Sequence, residues 1–357
     1  MKPTPIGIWF TQGFANLFHA MQDIREADKA GEFTLICSHP NPQFVGQESA
    51  DISLMEPVSN KGFLKFIKEV VTEFNVKVIL PSRRQTWFNR NKKAIEALGV
   101  QVLTVASSAT LNRIEDKAAL YLYLKGKHVV NIPAFSVFKS LAEFDAAQSI
   151  LGQDHPILCI KPTHGVYGSG FRILKAGNSS MRDLLTESLN MGVQDLRSRL
   201  AADNTNPMML MEYLDGDERS VDCLADNGVL IAGVIRRKST SAIAPQVIEQ
   251  SPLILAQVQV LAKLLKLTGL FNVQFKDHDG KPFLLEINTR LSGRSYYATI
   301  AGCNLPYLAA QRFGNAVPVS NLVFDIDYGM RIGSVTSAVV INAPMVGISS
   351  ASAKESS

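Results

Sequence analysis

The stretch KPFLLEINTRLSGRS, residues 281–295, sets an acid, an amide and a base at every second position of an otherwise apolar run: Glu286, Asn288 and Arg290. Alternate residues of a strand face opposite ways. Phe283, Leu285 and Ile287 therefore share one side, and the three polar residues share the other. The preceding run, FNVQFK at 271–276, repeats the pattern, with Asn272, Gln274 and Lys276 opposite Phe271, Val273 and Phe275. Two adjacent strands thus offer a carboxylate, several amides and cations from one surface. A solvated sheet face is the ordinary cause of such alternation, but it uses Lys, Glu and Thr, and Asn is poor in strands. Hard oxygen donors of this kind suit Mg²⁺, which takes few protein oxygens and fills its shell with phosphate and water. A cation four residues past the carboxylate would meet phosphate oxygens.

That reading carries a geometric condition. The turn between the two runs contains Asp279-Gly280, a strong hairpin signal. A two-residue turn with regular strands sets Gln274 opposite Leu285. Gln274 faces Glu286 only if the loop has an odd number of residues or one strand carries a bulge. A regular two-residue hairpin counts against the metal site.

The elements that must position these residues follow from periodicity. IGIWF (6–10), FTLICS (33–38), VKVILP (76–81) and VQVLTV (100–105) read as strands. Amphipathic helical stretches at 14–31, 60–75 and 89–99 separate them, which implies a parallel sheet with helices on its faces. The first turn is TQG rather than GxGxxG, which makes a dinucleotide site there improbable. Residues 109–132 read as one helix, HPILCIKP (155–162) as a strand ending in a lysine, and 163–174 as a glycine-bearing loop running into another strand. Residues 178–202 look helical. PMMLMEYL (207–214), ERSVDCLAD (218–226) and VLIAGVIRRK (229–238) are strands, the last two joined by an Asn227-Gly228 turn, and 249–268 is an apolar-periodic helix.

Composition narrows the class. The chain has 357 residues, 46% hydrophobic and 19% charged, with a net charge of +4. That is an ordinary globular protein of two or three domains. The basic residues are dispersed, and the pair Arg236-Arg237 is no nucleic-acid patch. No apolar run approaches the ~20 residues that span a bilayer. The N-terminus, with one lysine and two early prolines, does not read as a signal peptide, so the cytoplasm is the expected compartment. Four scattered cysteines read as buried hydrophobes, and six scattered histidines form no zinc motif. The tail 349–357 has the composition of a disordered end.

Taken together, Lys161 at a strand end, the loop Gly165–Gly168–Ser169–Gly170, MEYLDGDE, and the set Gln274, Glu286, Asn288 with Arg290 resemble the ATP-grasp superfamily, closest by motif to the synthetase halves of carbamoyl-phosphate synthase. The resemblance covers roughly 109–325. It implies an α/β and α+β architecture: a parallel α/β pre-ATP-grasp domain over 1–108, a two-lobed ATP-grasp fold over 109–330 with a small lid lobe at about 130–207, and a C-terminal strand and tail over 331–357.

On the matching residues it implies that Lys117 and Lys161 touch ATP phosphates, and that Gly168, Ser169 and Gly170 belong to a flap over them. Glu212, Tyr213 and Leu214 would hold adenine, Glu218 would bind ribose, and Gln274, Glu286 and Asn288 would hold one or two Mg²⁺ ions, with Mn²⁺ as a substitute. Arg290 would stabilise the moving phosphoryl group, with Lys161 and Arg294 also in the catalytic set. Two departures stand out: the flap THGVYGSG is leaner in glycine than is usual and carries Tyr167, and Thr289 replaces a proline. His164 reads as a bystander. Arg236 is either an anion ligand or a charged strand end, and Arg83 and Arg84 are either substrate ligands or surface charge.

The activity implied is an ADP-forming ligase joining a small-molecule carboxylate to an amine or other nucleophile, with homodimers common among relatives. One alternative is phosphorylation of bicarbonate or carbamate. Another is an ATP-binding regulatory module without turnover.

Overall fold

Four parallel strands and a short fifth open the chain: β1 (Ile6–Thr11), β2 (Phe33–His39), β3 (Ile52–Met55), β4 (Val76–Pro81) and β5 (Gln101–Val102), in the order β3-β2-β1-β4-β5. The computed structural model describes residues 4–165, 168–186, 188–238, 244–335 and 337–342, so Tyr167 and the tail 349–357 lie outside the described residues. Helices α1 (Leu17–Ala27), α2 (Phe63–Glu73) and α3 (Gln85–Glu96) connect the strands. The amphipathic α2 buries Phe63, Phe66, Ile67, Val70 and Val71 among Trp9, Ile36 and Ile79 of the sheet, each large side chain worth about 1.5–3 kcal/mol when fully buried. Neighbouring β1 and β4 both leave the sheet at their carboxyl ends toward different flanks, and this reversal of strand order makes the switch point where ligands of such sheets bind.

The stretch expected as one helix over 109–132 is broken into α4 (Ser108–Glu115) and α5 (Lys117–Lys125). Asp116 caps α5, its carboxylate accepting the Ala118 and Ala119 N–H groups, and an acidic N-cap is strongly favoured. A second sheet follows: β6 (Phe135–Phe138), β7 (Leu158–Pro162), β8 (Arg172–Lys175), β9 (Asn190–Gly192) and β10 (Met208–Glu212), in the order β6-β10-β7-β8-β9. Helices α6 (Leu141–Asp154), α7 (Met181–Leu185) and α8 (Val193–Ala202) accompany it. The expected helix over 178–202 is therefore two helices around β9. Gly192 permits this, since a Cβ there would sit 2.3 Å from the backbone of Asn178 and Ser179.

The third sheet contains β11 (Glu218–Asp226), β12 (Val229–Lys238), β13 (Gln246–Glu249), β14 (Gly269–His278), β15 (Lys281–Asn288) and β16 (Arg331–Ile332), in the order β15-β14-β11-β12-β13-β16. Helix α9 (Pro252–Leu265) precedes β14, and the short α10 (Tyr296–Ile300) and α11 (Leu305–Ala309) follow β15.

The chain divides into two compact units. One contains 1–111, 219–273 and 287–357; the other contains 112–218 and 274–286. In the first, Ile8, Phe10, Leu35 and Val78 share a core with Leu224, Val234, Ile248 and Leu270. In the second, Phe138, Phe144, Leu151, Ile160, Leu196 and Leu210 form a core beside a smaller cluster of Tyr121, Cys159, Met209 and Met211.

Candidate active site

Asp279 and Gly280 form a two-residue turn with φ of +49° and +72°, the double left-handed geometry of a tight hairpin. With regular strands this turn would place Gln274 opposite Leu285. Two observations mark a bulge in β15. Burial alternates through Pro282 and Leu284 and then resumes at Ile287, leaving Leu285 and Glu286 as consecutive half-buried residues. The Tyr121 hydroxyl also lies 2.8 Å from both the Leu284 and the Leu285 carbonyl oxygens. Consecutive carbonyls of a regular strand point to opposite sides, so one hydroxyl reaches both only where the strand is bulged. A bulge at this point is the irregularity that would bring Gln274 to the side of Glu286 in spite of the two-residue turn.

Tyr121 is fully buried, and burial, with smaller contributions from Glu286 and Cys159, raises its phenol well above its usual value. It stays a proton donor to the bulge at any ordinary pH. Around it stand the two lysines. Lys117, the first residue of α5, sends its Nζ to the Gly165 carbonyl at 2.9 Å and lies 3.6 Å from Glu286 Oε2. Its backbone N–H donates to Thr163 at 2.9 Å, tying the helix start to the glycine loop. Lys161, in β7, has its Nζ 3.4 Å from both the Tyr121 hydroxyl and the Leu285 carbonyl, and 5.2 Å from the ring centre. Burial pushes Lys161 down to about 8; Glu286 opposes that shift, and Lys117 adds to it.

The loop glycines adopt φ of +151° at Gly165, +66° at Gly168 and +79° at Gly170, and Gly168, Ser169 and Gly170 are exposed. Left-handed conformations of this kind favour glycine and turn backbone N–H groups outward. In the segment after β10, Glu212 is buried and already engaged: Oε1 accepts the Ala134 N–H at 3.0 Å and Oε2 lies 2.9 Å from His155 Nδ1. Tyr213 donates its N–H to Ile157 at 3.0 Å. The buried Leu214 has no hydrogen-bond partner for its N–H among the described residues. The Glu212 carboxylate is therefore already taken up within the protein. Gly216 bonds to Asp277 at 3.0 Å, and Glu218 begins β11 half-buried.

In the first unit, residues 288–295 are held from three sides. Gln85 donates its side-chain amide to the Thr289 carbonyl. Asn16 Nδ2 donates to the Leu291 and Ser292 carbonyls at 3.2 and 3.1 Å. Arg236 donates to Ser292 Oγ at 2.7 Å. Arg236 is 1% exposed and also binds Asp222 at 2.7 Å, Ser220 at 3.1 Å and Gln246. Asn272 completes this network through Ser220 and Asp222. That settles the alternatives for Arg236: it is neither a surface charge nor open to substrate, but a support beneath the loop that carries Arg290 and Arg294. Asn288, Arg290 and Arg294 are half-buried. The Arg290 guanidinium carbon lies 4.6 Å from the Phe14 ring centre.

Sequence reasoning did not find Tyr121, Phe14, Gln85 or Asn16. Tyr121 and Phe14 sit among apolar residues at helical spacing, where an aromatic ring reads as core. Among the described residues no group of three His, Cys, Asp or Glu gathers to hold a metal. By residue type, Gln274, Glu286 and Asn288 supply one carboxylate and two amides, too little charge for an all-protein metal cage.

Comparisons with known proteins find likeness to the ATP-grasp family over part of the chain, and to ligases of similar fold over most of it. Residues 204–338 match the family described as ATP-grasp in the biosynthetic pathway with Ter operon. The carbamoyl phosphate synthase arginine-specific large chain of Halalkalibacterium halodurans is 27% identical over 278 residues, covering 74% of this chain and 24% of that one. The chain thus spans about a quarter of the length of that relative. Among solved structures, the ADP complex of N5-carboxyaminoimidazole ribonucleotide synthetase superposes with a TM-score of 0.66 at 14% identity, covering 92% of this chain and 81% of its own. The L-amino acid ligase from Bacillus licheniformis gives 0.56 at 15% identity, over 87% and 74%.

Proposed function

We propose that the protein is an ATP-dependent ligase that activates a small-molecule carboxylate as an acyl phosphate and passes it to an amine, releasing ADP and phosphate. The observation that carries this reading is the convergence of Lys117, Lys161 and Glu286 on the Tyr121-supported bulge. Two ammonium groups and one carboxylate beside exposed loop glycines suit a metal-bound triphosphate and little else.

A carboxylate oxygen attacks the γ-phosphorus as the bond from that phosphorus to the β–γ bridging oxygen breaks, and ADP departs. The amine then attacks the acyl carbon, the carbon–oxygen bond to phosphate breaks, and the amine's proton is lost to solvent. Lys117 and Lys161 bind and orient phosphate oxygens. Gln274, Glu286 and Asn288 would hold Mg²⁺ or Mn²⁺, which supplies charge neutralisation at the phosphates. Arg290, with Arg294 beside it in sequence, stabilises charge on the transferring group, a role worth about 3 kcal/mol in comparable sites. Leu214 N–H, the Tyr213 backbone and Glu218 take the adenosine. The Gly168–Gly170 segment shields the acyl phosphate from water.

The same reading expects the cytoplasm as compartment, admits a homodimer, and takes 1–108 as the pre-ATP-grasp domain and 109–330 as the ATP-grasp domain. No helix among the described residues is long and apolar enough to cross a membrane. The test is Mg²⁺-dependent ADP release with matched acid–amine pairs. At least one pair must stimulate release, and Glu286→Ala must abolish it. A second reading, phosphorylation of bicarbonate, draws on the likeness to carbamoyl phosphate synthase chains, and bicarbonate alone would then stimulate ADP release. An ATP-binding regulator without turnover would bind MgATP and respond to neither.

A further inference from the structure

The carboxyl ends of β1 and β4 form the switch point of the first sheet, and two cations meet there on one aromatic ring. Arg83, in the loop after β4, has its guanidinium carbon 4.5 Å from the Phe14 ring centre, and Arg290 lies 4.6 Å from the same centre. Phe14 follows β1 in the turn Thr11-Gln12-Gly13, where Gln12 takes φ +40°. The fully buried Thr11 hydroxyl has no hydrogen-bond partner among the described residues. The neighbouring Arg84 is engaged elsewhere. It lies 3.9 Å from the buried Glu56, donates to the Pro57 and Val58 carbonyls, and packs over Phe63 at 4.8 Å. Arg84 is thus part of the domain's framework, whereas Arg83 is exposed at the crevice mouth. A guanidinium resting on a ring keeps its N–H edge pointed away from that ring, where an anion can meet it, while losing little side-chain freedom. Two such groups on one ring repel each other, and an anion between or beside them relieves that repulsion.

We infer that Arg83, placed by Phe14 beside Arg290, recognises a second anionic group on the acid substrate, a carboxylate or a phosphate in addition to the carboxylate that is activated. The inference rests on the ligase reading, because Arg290 is there assigned to the reacting end. It makes Arg83 a specificity determinant: it selects a dianionic acid and leaves the phosphoryl chemistry to the lysines and Arg290. Charge-assisted hydrogen bonds to one anion support a preference of about 10- to 100-fold over the monoanionic analogue.

The test uses calorimetric titration of the full chain at saturating MgADP. Malonate, succinate and glutarate are compared with propionate, butyrate and valerate, and 3-phosphoglycerate with glycerate. Wild type is expected to bind at least one dianion about 10- to 100-fold more tightly than its monoanionic partner. A carboxylate pair or the phosphate pair showing the preference identifies the second anion. Arg83→Gln, an exposed position, erases the preference while its MgADP affinity and thermal midpoint stay those of wild type, and Arg90→Gln, an exposed arginine on α3, keeps it. Dianions that bind no better than their partners to wild type, or a preference that survives Arg83→Gln, overturn the inference. The ligase reading is scored separately by the MgADP titration: a wild-type chain that binds no MgADP overturns that reading whatever the acids do.

Discussion

Lys117 and Glu286 face each other across 3.6 Å, joining the first residue of α5 to the bulged strand β15. Neither side chain is exposed enough for this to be an idle surface pair, at 11% and 23%. Glu286→Gln keeps the shape of the side chain but removes both its charge and the counter-charge of Lys117. ADP release is expected to fall by about 1000-fold, the scale of losing one preorganised charge contact. Coupled assay of ADP release measures it; activity within threefold of wild type would remove Glu286 from the site.

Lys161 gives the site a pH dependence with a definite sign. Its folded value of about 8 lies below the ordinary value of 10.5. Folding therefore disfavours the ammonium, so stability contributed by this group rises as pH climbs from 8 toward 10.5. Phosphate binding needs the charged form, so MgATP affinity should decline tenfold per pH unit above about 8. Lys161→Arg, always charged, should flatten that profile. Lys161→Met should weaken MgATP binding yet raise the melting temperature, by about 2–4 °C per kcal/mol gained. Titration calorimetry from pH 7 to 9.5 and thermal melts check both.

Tyr121→Phe deletes only the hydroxyl that lies 2.8 Å from the Leu284 and Leu285 carbonyls. The buried Leu284 carbonyl and the half-buried Leu285 carbonyl lose their shared donor, at a cost of about 1–3 kcal/mol. Since the bulge orients Glu286, metal dependence should suffer as well, with the Mn²⁺ concentration for half-maximal ADP release rising about 10- to 100-fold. A melt-only effect with unchanged metal dependence would leave Tyr121 a packing residue.

The Arg236 network is expected to be structural. Arg236→Ala leaves Asp222, fully buried, with an unpaired charge, which costs about 3–5 kcal/mol. Asp222→Asn with Arg236→Met should recover much of that loss, while Ser292→Ala, freeing the loop that bears Arg290 and Arg294, should lower kcat more than it changes the melt.

The hairpin strands 218–226 and 229–238 are legible end to end because Asn227-Gly228 supplies the left-handed pair that the turn needs, at φ +46° and +85°. The alternation through 271–276 and 282–288 likewise placed both strands. Other features needed tertiary context. Asp116 interrupts a stretch of good helix formers with neither Gly nor Pro, so the split between α4 and α5, which makes Lys117 an N-terminal helix residue, carried no strong local signal. Arg236 reads as a strand-end charge because Asp222, Gln246 and Ser292 are distant in sequence. β6, α6 and β13 lie in segments whose apolar spacing is weak. Glu212 matched a base-binding position by motif, yet His155 and Ala134 occupy its carboxylate, an engagement between residues more than fifty positions apart.

The most direct test of the central claim is a crystal structure of the protein with a non-hydrolysable ATP analogue and Mg²⁺. The account expects triphosphate oxygens at Lys117 and Lys161, and a metal ion at about 2.0–2.1 Å from Glu286 and from an amide oxygen of Gln274 or Asn288. A nucleotide bound elsewhere, or a metal ion touching none of those three side chains, would contradict it.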